Sequence, residues 1–427
     1  MSLIGRFIDQ LLPVGSITIV QPGGERSTHG PGGGKHVTVK LHDRRVAMDI
    51  FRNPRLRVGE AYMDGRLTVE DGTILDLLEL VVGAKPWEQG FRKALGKGKG
   101  GWLKHVFRRN DVRKSRRNVA HHYDIGNALY ALFLDDDLQY SCAYFTDPHN
   151  SLEQAQADKK AHIAAKLDLK PGQRVLDIGC GWGGMALYLN KVAGVDVLGI
   201  TLSEEQLRLA RQRAKDAGVS DQVKFELIDY RQLEGRFDRI VSVGMFEHVG
   251  AAQYDEFYAK CRELLTDDGV MLLHTIGKLG GAGKPDPFTD KWIFPGYHLP
   301  ALSQMCSSSE KVKMIVSDVE TLRVHYAYTL RHWLERATKA RAEIEKLYDA
   351  RFFRMWEFYL AGGIVMFESG AACNYQVQYV RDRYALPLTR DYMLETERRY
   401  REIGGKPRAP AKKTRRASRK TLEPAGA

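Results

Sequence analysis

Cysteine is scarce in this 427-residue chain: five in all, at 142, 180, 261, 306 and 373, with no CxxC pair. An odd, scattered set offers neither a disulfide framework nor paired thiols for zinc, and it fits a reducing compartment. No metal site is expected. No run reaches the roughly 18 apolar residues of a membrane-spanning helix. The opening "MSLIGRFIDQLLPVG" lacks the charged start, long apolar stretch and small-residue cleavage site of a secretory signal. A cytoplasmic protein is expected, and any contact with a bilayer is made from outside it.

Positive charge, by contrast, is abundant. The formal net charge is +12, crowded into residues 91–118, "FRKALGKGKGGWLKHVFRRNDVRKSRRN", and a tail ending "KPRAPAKKTRRASRKTLEPAGA". Such clusters suit an anionic surface, or they are solvated faces that keep a protein soluble. The tail holds too few apolar residues to fold and reads as disordered.

Hydrophobic periodicity divides the rest. The stretch "QPGGERSTHGPGGG" (21–34) reads as a glycine-rich loop, "HVTVKLHD" and "RVAMDIF" as strands, and "TVEDGTILDLLELVVGA" as a helix capped by Asp71. Together these make a small α+β domain over residues 1–90. A basic linker (91–117), a catalytic domain (118–400) and the tail (401–427) follow. In the catalytic domain, "SLEQAQADKKAHIAAKLDL" is a helix capped by Ser151. Next come "RVLDIGC", "VDVLGIT", "VKFELID", "FDRIVSVG" and "GVMLLHTIG", short apolar runs separated by helical stretches. That alternation implies a doubly wound α/β sheet. The Gly/Pro-rich 277–292 breaks it and reads as a lid.

"RVLDIGCGWGG" runs a buried strand into Gly179, Gly181, Gly183 and Gly184, with a helix after them. Glycines let the backbone approach a ligand, and the strand-before, helix-after context makes the loop credible. A dinucleotide site would carry an acid at the end of the next strand. Here that strand ends in Thr201 and Ser203, with Gln206 a turn later, which disfavours NAD. Asp177, just before the glycines, is placed to hold an ammonium. The loop resembles that of class I methyltransferases, which bind S-adenosylmethionine. On that resemblance Asp229 and Tyr230 fall near the adenine edge.

Two further strands end in Glu247–His248 and in His274–Ile276. Strand carboxyl ends face the ligand crevice in such sheets, so Glu247 and His274 converge there; each taken alone also suits a helix start or a core histidine. Cys142, in "LQYSCAYF", reads as nucleophile, metal ligand or buried apolar residue. In order and spacing, "HHYDIGNALYALFLDDDLQYSCAYF", "VLDIGCGWGG", "GITLSEEQ", "FEHVG", "LLHTIG", "IFPGYHLP" and "HYAYTLRHW" resemble the cyclopropane fatty acid synthase family and its mycolic acid relatives. The resemblance covers 118–381. The N-terminal domain is similar to one found in the phospholipid-acting members.

The resemblance implies a chemistry. S-adenosylmethionine gives its methyl carbon to the cis double bond of an unsaturated phospholipid acyl chain, and a bound bicarbonate removes a proton as the cyclopropane ring closes. It implies that Cys142, Glu247, His274, Ile276 and Tyr326 cradle the bicarbonate, Cys142 and Ile276 through their backbones, and that Tyr140 and Ser141 touch the cofactor. Tyr144, Phe145, Phe294 and Tyr297 are expected around the reacting centre, where ring faces stabilise cations. By analogy with relatives carrying the extra domain it further implies a homodimer, and the basic stretch 91–118 is expected to hold the enzyme on anionic headgroups at the inner face of the membrane. The rivals are a methyl- or methylene-branched product and a small-molecule methyltransferase. A nucleic-acid role is disfavoured: the base-methylating sequence NPPY is missing, and few aromatics interleave the basic runs.

Overall fold

The computed structural model describes residues 11–83 and 126–405, together with Gly5, Ile8 and Asp9. The basic linker (91–117) and the tail beyond 405 lie outside the described residues, as does most of "HHYDIG".

Two sheets form. The smaller has the order β2-β1-β3-β4. Strand β1 (Gly15–Val20) runs antiparallel to β2 (Arg26–Gly32) and parallel to β3 (His36–Leu41), which pairs antiparallel with β4 (Leu67–Asp71). The expected loop at 21–34 therefore holds an edge strand, where a glycine-rich sequence is tolerated because one side of its backbone needs no partner. "RVAMDIF" is a helix, Arg45–Arg52, not a strand. Val46 and Ile50 are its buried residues, a spacing of four. Asp43 Oδ1 accepts from the amides of Arg45 (2.8 Å) and Val46 (3.2 Å), satisfying donors that a helix start leaves free. Asp71 ends β4 instead of capping a helix. The cap is Thr73, which shares a capping box with Asp76 ahead of Ile74–Leu78.

The larger sheet has seven strands in the order β10-β11-β9-β8-β5-β6-β7. Strands β5 (Arg174–Ile178), β6 (Asp196–Thr201), β7 (Val223–Leu227), β8 (Phe237–Val243) and β9 (Leu265–Lys278) are parallel. The antiparallel β11 (Ala372–Val380) is inserted between β9 and β10 (Ile315–Thr321). All nine residues of β11 are buried, as a strand covered on both faces requires. Strand order reverses beside β5, which places a ligand crevice at its carboxyl end. The helix Leu152–Lys166 begins at Ser151, whose hydroxyl accepts from Gln154 N. The last helix, Asp391–Gly404, crosses the boundary expected at 401. Tyr188 Oη donates to Tyr400 O (2.9 Å) and Lys191 Nζ to Gly404 O (2.7 Å), tying it to the sheet's helical layer.

The two sheets meet through the helix Ala350–Glu368. Its Met355, Phe358 and Ala361 share a core with Ile17, Val39, Met63 and Leu67 of the small sheet's layer. The 277–292 stretch is anchored at the same seam. Its helix Pro287–Trp292 buries Phe288 against Phe358 (rings 4.7 Å apart), while Lys291 Nζ (2.6 Å) and Trp292 Nε1 (3.2 Å) donate to Glu60. Gly59 makes room for this, since a Cβ there would stand 2.5 Å from Phe288.

Candidate active site

The reversal point holds a cavity. Asp177, Gly179, Gly181, Thr201, Gln206, Asp229 and Tyr230 line it from β5 to the turn after β7. Tyr140 and Ser141 close it on one side, with Leu138 and Gln139. Nine of the residues expected at the cofactor thus share one wall.

The glycines differ in purpose. Gly181 (φ +54°) is the one in this loop whose Cβ would meet nothing within 4 Å, so it fronts open space. Gly183 is absent from the wall; it precedes the helix Gly184–Ala193 and lies under Phe225, 2.6 Å from where a Cβ would be. Ser203 is also absent from the wall. Its hydroxyl accepts from Gln206 N and caps the helix Glu204–Asp216. Thr201 Oγ1 donates to Gln206 Oε1 (2.8 Å), fixing that side chain beside the cavity. Asp229 is held by Arg231, whose Nη2 lies 2.7 Å from its Oδ2.

Asp177 carries the strongest ligand signal. It is buried, burial pushes its carboxyl up to about 7, and its Oδ2 has no hydrogen-bond partner among the described residues. A buried carboxylate left unpaired is costly, and a cationic ligand would remove that cost. The Oδ2 orphan and the open face of Gly181 fit an amino-acid-bearing cofactor such as S-adenosylmethionine.

The five residues expected around the bicarbonate sit beyond this wall. Glu247 Oε1 accepts from Ile276 N (2.5 Å), while Oε2 is buried without a partner among the described residues. Burial pushes this carboxyl up to about 7. His274 is fully buried in β9, and burial holds its pKa well below the ordinary value. Its Nδ1 lies 3.1 Å from Gln376 Nε2 and its Nε2 lies 3.3 Å from Asn374 Nδ2, both on the neighbouring β11. Cys142 is buried, and burial drives its thiol pKa far up. A protonated, enclosed sulfur is no nucleophile. The next amide, Ala143 N, donates to Thr329 Oγ1 (3.0 Å), one turn along from Tyr326 on the helix His325–Lys339. The structure therefore joins Glu247 to Ile276, and Cys142 to the helix of Tyr326, as two pairs.

Of the four expected aromatics, Tyr144 is stacked against His162 (4.0 Å) and His325 (5.1 Å), and Phe145 against His332 (5.8 Å), and neither lines the cavity. Phe294 packs on His248 (5.6 Å), and Tyr297 Oη accepts from Asp286 N (2.9 Å). The sequence reading missed Trp182, Met245, His248, Pro295 and Gly296 on the cavity wall. His248 was legible as Glu247's neighbour; it faces the cavity while Glu247 bonds Ile276. Trp182 stands within the glycine loop and Pro295–Gly296 within "IFPGYHLP"; what the sequence did not show is that these segments and Met245 meet on one wall. No cluster able to hold a metal occurs among the described residues.

The family model for mycolic acid cyclopropane synthetase matches residues 110–377, well over half of the chain. The chain belongs to that family. It is an S-adenosylmethionine-dependent methyltransferase of the cyclopropane synthase type. It is 40% identical over 323 residues to the cyclopropane-fatty-acyl-phospholipid synthase of Escherichia coli, covering 73% of this chain and 79% of that one. A probable fatty acid methyltransferase of Pseudomonas putida is 42% identical, over 67% of this chain and 75% of its own. The mycolic acid cyclopropane synthase CmaA1, solved with SAH, shares 33% identity at a TM-score of 0.59, covering 62% of this chain and 97% of that one. The MmaA2 cyclopropane synthase of Mycobacterium tuberculosis gives a TM-score of 0.60 at 31% identity, covering 62% and 97%. The small N-terminal sheet lies outside the stretch that the family model matches.

Proposed function

We propose that this synthase acts on the cis double bond of unsaturated phospholipid acyl chains and closes a cyclopropane ring, with bicarbonate as the base. The observation that carries the reading is the buried Glu247–Ile276 pair with its unpartnered Oε2, beside a cavity whose wall suits the methyl donor. The sulfonium supplies an electrophilic methyl. The chain's part is to hold donor and olefin together, keep water out and receive a proton. Cys142 is a thiol and His274 a weakly basic imidazole, so neither side chain is a strong base. A bicarbonate would take the Ile276 amide from Glu247, leaving Glu247 to face its hydroxyl. A second reading is favoured by the same carboxyl: with its pKa raised to about 7, Glu247 is itself poised to take the proton.

Turnover of unsaturated phospholipid vesicles with labelled S-adenosylmethionine, in buffer stripped of and then restored with bicarbonate, separates the two. Bicarbonate-dependent incorporation supports the first; full activity without it supports Glu247. NMR of the product distinguishes a ring from a methylene branch. No incorporation into lipid would overturn both.

We further propose that the enzyme works peripherally at an anionic membrane from the cytoplasmic side, as a homodimer. The helix Arg45–Arg52 supports the membrane part: Met48 and Phe51 are about half exposed (47% and 48%), flanked by exposed Arg44, Arg45, Arg52 and Arg55. Cations beside apolar side chains suit an acidic headgroup layer. No helix among the described residues is long and apolar enough to cross a membrane. Phe51→Glu is expected to lower co-sedimentation with anionic vesicles at least threefold, and salt to weaken the parent's binding; indifference to both would refute the surface.

A further inference from the structure

Behind the cavity lies an amine that neither the fold nor the expected cofactor contacts account for. Lys159 is fully buried on the helix Leu152–Lys166. Its Nζ donates to Gln139 Oε1 (2.7 Å) and Ser141 Oγ (2.8 Å), both neutral oxygens. Among the described residues no carboxylate stands within ion-pair distance of it. Burial draws its pKa down to about 7, against the pull of Asp135 and Asp137, which favour the charged form. One turn earlier on the same face, Gln156 Nε2 donates to the carbonyls of Gln139 (3.1 Å) and Ser141 (3.0 Å). Asp135 Oδ1 accepts from Gln139 N (2.8 Å) on the other side. The segment so gripped, Leu138 to Ser141, is cavity wall, and Leu138 is held at φ +55°, a conformation a non-glycine residue seldom keeps unaided.

Burying an unpaired charge is expensive, and an apolar residue of equal size would usually make the fold more stable. Packing therefore does not explain Lys159. Its charge acts on Asp177, the carboxylate with the unpartnered oxygen: burial pushes that group up, and Lys159 is the cation that opposes the push.

We infer that Lys159 is a positioning residue for the methyl donor: it fixes the Leu138–Ser141 turn from behind and sets a positive charge near Asp177, so that turn and carboxylate are both ready for the amino-acid end of S-adenosylmethionine. The inference rests on the reading of the cavity as the cofactor site. Gln156 is the uncharged half of the same clamp.

Titration of S-adenosylhomocysteine into the full-length protein tests it, with thermal unfolding run in parallel. Lys159→Met should raise Kd at least tenfold while the unfolding midpoint stays or rises, and cofactor KM should climb by more than kcat falls. The variant's affinity should also depend more steeply on pH between about 6 and 9, recovering on the alkaline side as Asp177 ionises without its neighbour. The groups facing this pair are the Cys180 thiol at Asp177, and Asp135, Asp137, Lys160, Cys142 and His274 around Lys159. Gln156→Met, which changes no charge, should raise Kd at least threefold with no change in pH profile, and decides the matter should Lys159→Met not fold. A folded Lys159→Met with parental Kd overturns the inference alone. A parent that fails to bind S-adenosylhomocysteine overturns the cofactor-site reading with it.

Discussion

Glu247 and Asp177 are carboxyls kept in a dry place, and each weakens the fold that carries it. Both have folded pKa values of about 7, well above those of the free side chains. The unfolded chain releases these protons first, so their contribution to stability is full below about pH 4 and is lost as pH rises to about 7. For Glu247 the difference amounts to about 3 kcal/mol. Glu247→Gln keeps an oxygen for the Ile276 amide and removes the charge. It is expected to raise the unfolding temperature at about pH 8 but not at about pH 4, while turnover falls at least a hundredfold and S-adenosylhomocysteine affinity stays within threefold. Calorimetry across pH and a labelled-donor assay check the three together. Gly181→Ala reverses the pattern: a methyl group at the open face should weaken S-adenosylhomocysteine binding at least tenfold, read by titration.

Among the elements, the helix Leu152–Lys166 bears most on the site, since it presents both Gln156 and Lys159. Its cap is a single hydroxyl, and Ser151→Ala should cost about 1 kcal/mol in denaturant unfolding. This helix, the parallel strands and the glycine loop were legible because their signals are local: a serine before a periodic run, apolar runs between helices, glycines where a strand ends. Thr201 and Asp177 followed from the same logic, as residues at the carboxyl ends of strands. What escaped was set by context. "RVAMDIF" fits two periods, and Asp43 decided for the helix. Ser203 stands three residues before Gln206, a capping signature, and its hydroxyl makes that cap. Met245 and His248 share one short turn, but Pro295 reaches them only when a distant loop folds in, so spacing along the chain does not show that the three share a wall.

At the scale of the whole molecule the two sheets do not merely adjoin. Phe358, from the helix that joins them, lies in the core of the small sheet, and Phe358→Ala should cost about 3–5 kcal/mol and loosen the seam, visible as faster proteolysis of the small domain. The strap from Pro287 to Gly296 extends this union. It is pinned to the small domain at Lys291 and Trp292, it forms the cavity wall at Pro295 and Gly296, and His298 N then donates to the Glu247 carbonyl (2.9 Å). The small amino-terminal domain is thus linked, through a few residues of chain, to the cavity wall and to the backbone of Glu247. On the membrane-surface reading proposed above, such a linkage would make arrival at the bilayer and readiness of the chemical centre one mechanical event.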